Sequence, residues 1–456
     1  MQCDRFAHFA ATEDVMMTAS GHIDLPCPIR FRTPDDAQHF VGFHDICPWA
    51  PGADVLAVHR IPKGYERTPL AEDTADICVW DPARGTVVKV GETQAWNLQQ
   101  GSRLQWLPGQ ARTLVWNERR GTKFVGVLLD LETNERREAA CSIYALHPGG
   151  RKALTPSFAR LGKYYPSYGY AGGTAPGLHA VAPAEDGIWG VDLEADRADL
   201  LVSIDRVAGF GGLVIDPPVP HFLTHPTWNP SGDRFCFIHR YFTAHGEMMS
   251  RLFVADADGQ NLVLVSDDRV SHFDWHDDDT ICVWARIGMK QLGSLRNKGI
   301  LQHPMVRPLV KLAKSLRPDL KRRLNNAGYW SIDVQGRRPP ELVIERIEDG
   351  HQMFSGDKRW MLTDTYPDQG RVSTLMLFDL QENRIYDVAK LHSPVHADHD
   401  HRCDLHPRWN RGSDLMCVDN DADGFRRVLV IDPAPVFAAA GAAGPGADRG
   451  EARTAA

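Results

Sequence analysis

Seven short apolar runs, each ending in an aspartate, recur along the chain. They are residues 77–81, 127–130, 188–192, 252–256, 330–333, 375–379 and 428–432. An apolar run closed by a turn-forming Asp is typical of a β-strand. An apolar anchor precedes each run, and Pro/Gly turns follow several of these anchors. The anchors are Trp49, Trp106, Leu146, Trp228, Trp275, Phe354 and Trp409.

This double repeat predicts seven similar antiparallel sheets, each with an inner strand, a tight turn and outer strands. Sheets this short cannot bury their own faces, so radial repetition is the stable arrangement. We therefore expect an all-β fold, a seven-bladed β-propeller of four-stranded antiparallel blades, with residues 1–433 as one domain. Residues 28–32 are expected to supply the fourth strand of blade seven. The Ala/Gly-rich residues 434–456 are expected to be disordered.

The expected connections differ between the two faces of the ring. Turns on one face are uniformly short, whereas long and chemically varied connections open on the other. The long connections are residues 59–75, 158–187, 239–251, 286–328 and 365–371. Because binding and catalytic residues concentrate on such loops, the function is expected on the long-loop face.

Four histidines occupy one equivalent position in the repeat, three residues before the anchor of an inner strand. They are His225, His272, His351 and His406. Inner strands begin at the mouth of the central channel, so these rings should converge there, joined by His44 from blade one. Asp404 lies two residues before His406 on the same strand face and His401 is within reach, which predicts a divalent-metal site. The alternative is a structural role in which each ring bonds an adjacent turn.

Two blades carry a family resemblance. The segments HPTWNPSGDRFCFIHR (225–240) and HPRWNRGSDLMCVDN (406–420) resemble blades of the oligogalacturonate lyase family and its TolB-like propeller relatives. The resemblance implies a channel metal, most typically manganese, with calcium or zinc as alternatives. It places His406 at one of two closely spaced His ligands, with Asp404 replacing the other and His401 near the family's Gln. His351 or His272 would match a further His ligand.

The resemblance also implies metal-assisted β-elimination of an acidic, uronate-containing polysaccharide or oligosaccharide. Elimination requires a neutralised carboxylate, a base for the C5 proton and an acid for the departing O4. His225 and His272 are candidate bases, Tyr168 is a candidate acid, and Arg240 can pair with a uronate carboxylate. Substrate contacts are expected from three further side chains, namely His44, Tyr165 and Tyr170. Alternatively, the tyrosine-rich loop packs its own aromatic rings onto the rim.

Two other functions remain open. One is a non-catalytic propeller scaffold for protein partners, for example in polysaccharide biosynthesis. The other is a propeller glycoside hydrolase, which needs two carboxylates flanking the scissile bond. Asp274, Asp364 and Asp404 are candidates, but no spacing singles out a pair. The sequence has no phosphate-binding glycine loop, nucleophile elbow or HExxH motif.

Composition bears on the cellular setting. The N-terminus lacks a secretory pattern, and no apolar run approaches the roughly 20 residues that span a bilayer. Nine cysteines are scattered without paired CxxC spacing, which is typical of reduced thiols. We therefore expect a soluble, cytoplasmic protein that is not transmembrane.

A basic segment stands out in an acidic chain. Residues 286–323 carry a net charge of +10, although the whole chain carries −8. Leu309, Leu312, Ala313 and Leu316 recur there at helical spacing, which predicts an amphipathic basic helix. The favoured interpretation is a wall that guides an anionic carbohydrate; a membrane-surface contact and an ordinary charged insertion are the alternatives. Nothing in the sequence resembles a nucleic-acid-binding motif.

Overall fold

The computed structural model describes residues 22–287, 327–346, 348–396, 401–442 and 444–445. Two short strands, β1 (His22–Asp24) and β2 (Ile29–Arg32), precede the first blade. The remaining strands and β2 form seven four-stranded sheets, each antiparallel, in the order of the chain. The predicted seven-bladed β-propeller is therefore confirmed.

The blades are short and similar in length. Blade one consists of β3 (Gln38–Phe40), β4 (Leu56–Ile61), β5 (Ala75–Asp81) and β6 (Thr86–Thr93), and blade two consists of β7 (Gln105–Trp106), β8 (Thr113–Arg120), β9 (Lys123–Asp130) and β10 (Arg136–Glu138). Blade three consists of β11 (Ala145–Leu146), β12 (Lys152–Thr155), β13 (Gly187–Asp192) and β14 (Arg197–Ser203), and blade four consists of β15 (His221–Trp228), β16 (Arg234–Phe242), β17 (Met248–Asp256) and β18 (Val263–Ser266). Blade five consists of β19 (Arg269–Trp275), β20 (Thr280–Arg286), β21 (Ala327–Asp333) and β22 (Glu341–Glu345), and blade six consists of β23 (Met353–Phe354), β24 (Trp360–Asp364), β25 (Val372–Asp379) and β26 (Arg384–His392). Blade seven consists of β27 (Arg408–Trp409), β28 (Met416–Asn420) and β29 (Arg427–Ile431), with β2 as its fourth strand. The helices are α1 (Phe158–Tyr164), α2 (Ile204–Ala208) and α3 (Ala434–Ala439), with 3-10 turns at Pro166–Tyr168 and Phe210–Gly212.

The N-terminal strand β2 closes the ring. It pairs antiparallel with β29, as expected for residues 28–32. The Arg30 guanidinium also binds the Asp432 carboxylate. Strand β1 adds an unexpected fifth strand to blade six, parallel to β26. Apolar side chains of blades one and seven, including Trp49 and Val430, share one buried cluster, so hydrophobic burial reinforces the closure.

Three expectations about element bounds need correction. Residues 239–251 are mostly strand, because β16 extends to Phe242 and β17 begins at Met248. In blade one, Trp49 makes only an isolated bridge to Leu56, and β3 supplies the paired inner strand.

The third correction concerns the C-terminal segment. Residues 434–439 form helix α3, although the segment from 434 onward was expected to be disordered. Val436 and Phe437 are buried there, and the Phe437 ring lies 5.1 Å from that of Trp360. An apolar pair inside the Ala-rich run is therefore enough to dock the helix on blades six and seven.

Several expectations lie on residues outside those described. Residues 288–326 hold nearly all of the basic segment and the whole of its expected amphipathic helix, and they lie outside the described residues. Among the described residues, no helix has both the length and the apolar character needed to cross a membrane. The eight described cysteines are free thiols, as expected.

Candidate functional site

The repeated histidines meet at one end of the channel. Ring centroids of His272 and His351 lie 4.0 Å apart, and those of His351 and His406 lie 4.4 Å apart. The His44 ring joins them at 5.3 Å from His351. His225 joins the cluster through Phe43, whose ring centroid lies 5.0 Å from that of His225. The convergence expected from their equivalent sequence positions is therefore present.

Local backbone irregularity aims these rings inward. The pairing register shifts between Thr224 and Thr227 in blade four and between Val270 and Phe273 in blade five, so His225 and His272 each lie at a bulge. Such bulges redirect side chains. His225 and His406, each followed by proline, adopt φ values of 56° and 43°. Left-handed backbone at a bulky residue costs about 1–3 kcal/mol and concentrates at functional sites.

Phe43 fills the centre of this cluster. Its ring centroid lies 5.0 Å from that of His406 and 6.2 Å from that of His351. A buried ion pair holds its loop: the Asp419 carboxylate accepts from the backbone N–H groups of Val41 and Gly42, at 3.0 and 3.1 Å. The Arg408 guanidinium donates to that carboxylate and to the Phe43 carbonyl, both at 3.0 Å. Blade seven thus positions a loop from the start of blade one.

Three side chains form a candidate metal centre. Ligand atoms of His351, Asp404 and His406 lie within 4.8 Å of one another, and all three residues are buried. Nε2 of His351 and Nε2 of His406 are buried without a hydrogen-bond partner among the described residues. Burial holds the pKa of both imidazoles well below the usual range, which leaves them neutral. Two neutral imidazoles and a carboxylate are a suitable donor set for manganese or zinc.

Two carboxylates, those of Asp364 and Asp349, orient His351 and His272 through the Nδ1 atoms of their rings. Nδ1 of His351 donates to Asp364, 3.0 Å from Oδ1, and the His351 backbone N–H donates to the same oxygen at 2.7 Å. Burial raises the pKa of Asp364 to about 7. When the Asp364 carboxyl is ionised, this bond fixes the tautomer that leaves the Nε2 lone pair of His351 for a metal. Nδ1 of His272 lies 3.1 Å from Oδ1 of Asp349. Desolvation by burial opposes ionisation of Asp349, but His272, Ser271 and His351 together outweigh it and lower the pKa of that carboxyl.

His401 lies outside the metal group. Its Nδ1 is 3.0 Å from Nδ1 of His396, and its Nε2 is 3.1 Å from the Tyr65 carbonyl oxygen. The sequence placed it with Asp404 and His406 by proximity and by its position near the Gln ligand of the resembled family. Residues 401–407 form no regular strand, so sequence distance there does not fix a common face.

The tyrosines of the blade-three insertion divide into two groups. Tyr165 and Tyr168 stack at 4.6 Å, and Tyr168 lies 5.2 Å from His225. Nη1 of Arg240 donates to the Tyr165 hydroxyl at 3.0 Å, so these three residues and His225 form one wall beside the histidines. Burial raises the pKa of Tyr168, which keeps its hydroxyl protonated.

Tyr170 belongs to the hydrophobic core, which corrects its expected role in substrate binding. It is buried and stacks on Phe158 with 4.1 Å between ring centroids. Its hydroxyl accepts from Nδ2 of Asn117 at 3.1 Å. For this residue, the alternative of a loop packing its own aromatic rings is the better description.

Sequence reasoning missed two polar neighbours of the metal group. The Tyr366 ring lies 5.6 Å from that of His351, and burial raises its pKa well above the usual range. Nε of Arg402 donates to Asp404 at 2.9 Å. Tyr366 lies in the 365–371 connection, which the sequence analysis assigned to the long-loop face. That assignment is the sequence signal that could have identified Tyr366 as a site residue.

The carboxylates considered for a glycoside hydrolase do not form a free pair. Asp364 is bonded to His351, and Asp404 belongs to the metal group. Asp274 lines a separate cavity of about 260 Å³ whose walls include Asp45, Pro148 and Pro230. The two prolines belong to the short first-to-second strand turns, so this cavity opens toward the other face.

Comparison with known proteins gives structural likeness only. No protein-family model and no curated protein sequence matches the chain. An oligogalacturonate lyase solved in complex with manganese matches with a TM-score of 0.59 and 13% identity, over 90% of this chain and 98% of that one. An oligogalacturonate lyase from Vibrio parahaemolyticus matches with a TM-score of 0.52 and 12% identity, over 88% and 92%. TolB from Acinetobacter baumannii matches with a TM-score of 0.35 and 12% identity, over 70% and 61%. The chain therefore has a propeller fold like that of the two lyases, and its chemistry rests on its own residues.

Proposed function

We propose that this protein is a metal-dependent lyase that cleaves uronate-containing oligosaccharides by β-elimination at the histidine end of the channel. The observation that carries the proposal is the pair of buried, unpartnered Nε2 atoms of His351 and His406 beside the Asp404 carboxylate. Buried polar atoms usually have a hydrogen-bond partner. These two nitrogens lie instead beside a carboxylate, where a bound metal ion would satisfy both of them.

The residues suit manganese. His351, Asp404 and His406 would hold the ion, and Asp364 keeps His351 in the ligating tautomer. When bound, the metal would neutralise a uronate carboxylate, which lowers the cost of negative charge at the adjacent carbon. The lyase structure that shares this fold and was solved with manganese is consistent with that choice.

The remaining groups can handle the protons and the sugar. The Nδ1–H of His272 donates to Asp349, which leaves Nε2 as a base and stabilises the imidazolium that forms when it takes a proton. Tyr168 and Tyr366 keep their protons and are candidate acids for O4. Arg240 and Tyr165 offer a cation and an aromatic face to an acidic sugar.

The test combines metal content with product formation. The purified chain should retain about one manganese per molecule and release 4,5-unsaturated uronate from 4-linked uronate oligosaccharides, followed by ultraviolet absorbance. His406→Ala should lose both metal and activity. His272→Ala should keep the metal while kcat falls about 10²–10⁴-fold, the usual contribution of a positioned base.

A matched control is available in His392→Ala, which alters an exposed histidine on β26. It should retain metal and activity. No retained metal and no unsaturated product from any uronate oligomer would contradict the proposal and favour the scaffold alternative.

A further inference from the structure

His396 and His401 face each other through the same kind of nitrogen. Their Nδ1 atoms are 3.0 Å apart. Nε2 of His396 lies 2.7 Å from Oδ2 of Asp421, and Nε2 of His401 lies 3.1 Å from the Tyr65 carbonyl oxygen. Each ring therefore has an oxygen acceptor at one nitrogen and the other ring at its second nitrogen.

These contacts determine where the protons are. A backbone carbonyl only accepts, so His401 must carry its proton on Nε2. A carboxylate also accepts, so His396 likewise carries its proton on Nε2. Both Nδ1 atoms then present lone pairs to each other at hydrogen-bond distance. Such an arrangement is repulsive unless a cation, either a proton or a metal ion, lies between the two nitrogens.

The surroundings suit a bound cation. The Asp421 carboxylate supplies a compensating negative charge, and its Oδ1 is buried without a partner among the described residues. Two nitrogens that each bind a tetrahedral zinc at about 2.0–2.1 Å lie about 3.3–3.4 Å apart, so the two Nδ1 atoms need to separate by only about 0.3–0.4 Å to bind one ion.

We propose that Nδ1 of His396 and Nδ1 of His401 bind a second transition-metal ion, zinc or a similar imidazole-binding metal, with Asp421 and the Tyr65 carbonyl orienting the two rings. Water completes the coordination, because only two protein ligands are described. An oriented imidazole backed by a carboxylate is the usual arrangement around such ions. The contacts that define this site are separate from those that carry the proposed lyase chemistry.

The second ion would also stabilise the backbone at His401 and Arg402, next to the channel ligand Asp404. Nη2 of Arg426 donates to the carbonyl oxygens of His401 and Arg402, both at 2.7 Å. The Arg402 side chain in turn holds Asp404. An ion bound to His396 and His401 would therefore hold His401 in place three residues before the channel ligand Asp404.

Zinc stoichiometry of the full chain, measured by equilibrium dialysis and elemental analysis, tests this site. Wild type should bind two zinc ions. His396→Gln should bind one, His406→Ala should bind one, and the double variant should bind none. His392→Gln, an exposed histidine four residues upstream, should still bind two.

Conservative substitution guards against a folding artefact. Asp421→Asn keeps the side-chain shape and should weaken binding of the second zinc about 10–100-fold, the usual effect of losing an orienting carboxylate. Circular dichroism should show each variant folded. Unchanged stoichiometry in folded His396→Gln would overturn the second site, whereas unchanged stoichiometry in His406→Ala alone would overturn the channel site.

Discussion

Replacing Arg408 with methionine should destabilise the protein by about 3–5 kcal/mol. Arg408 and Asp419 are almost fully buried, with side-chain exposures of 0% and 2%. The substitution keeps the aliphatic bulk but leaves the Asp419 carboxylate with two backbone N–H donors and no cation. Breaking a buried pair in this way typically costs about 3–5 kcal/mol, because an uncompensated charge stays inside.

Urea denaturation at neutral pH measures this loss as a lower midpoint at unchanged m. Arg197→Met is the control, since Arg197 and Asp199 form an exposed pair with side-chain exposures of 68% and 59%. Exposed pairs contribute about 0–1 kcal/mol. Adding Asp419→Leu to Arg408→Met should recover part of the loss, because the stranded charge is removed.

The loop that Arg408 holds gives a second readout. Its guanidinium bonds the carbonyl oxygens of Gly42 and Phe43, so its loss should also loosen Phe43 and His44 beside the metal group. Metal affinity should therefore fall together with stability. A loss below about 1 kcal/mol, equal to that of Arg197→Met, would refute the reasoning.

Three further predictions follow from burial and orientation. Phe437→Ala should lower the free energy of unfolding by about 3–5 kcal/mol, measured in urea, because helix α3 docks through this ring. Asp364→Asn should weaken manganese binding about 10–100-fold in a dialysis assay, since it loosens His351; unchanged affinity would argue against the orienting role. Stability should fall as pH drops from 6.5 toward 4, by up to roughly 1.4 kcal/mol per pH unit per histidine. The reason is that burial lowers the folded-state pKa of three histidines to about 4, so the unfolded chain binds more protons; the three are His39, His59 and His221. A urea midpoint that stays constant over this range would contradict the assignment.

The blade pattern was predictable from sequence because it is local. An apolar run that ends in Asp specifies its strand and turn without help from distant residues. The channel histidines were predictable because the repeat puts each of them at the same distance from an anchor. Asp404 was found through its alternation with His406.

Sequence analysis missed or misassigned the residues whose role depends on tertiary contacts. Phe43 lies in the channel because Asp419 and Arg408, more than 360 residues later, hold its loop. Asp364 meets His351 across the blade-six hairpin, and no motif marks that pairing. Tyr170 shares a segment with Tyr165 and Tyr168, but only packing against Phe158 shows that it belongs to the core.

The loop around Phe43 also determines how molecules can travel. Phe43 and His44 contact the histidine cluster, while the next two residues, Asp45 and Ile46, line the cavity toward the other face. These four consecutive residues link the histidine cluster to that cavity. If they close the channel at this point, the reactant and the product of the proposed reaction enter and leave through one opening. A pocket closed at its base suits short oligomers or the end of a longer chain, and the exit of product then competes with the entry of the next molecule.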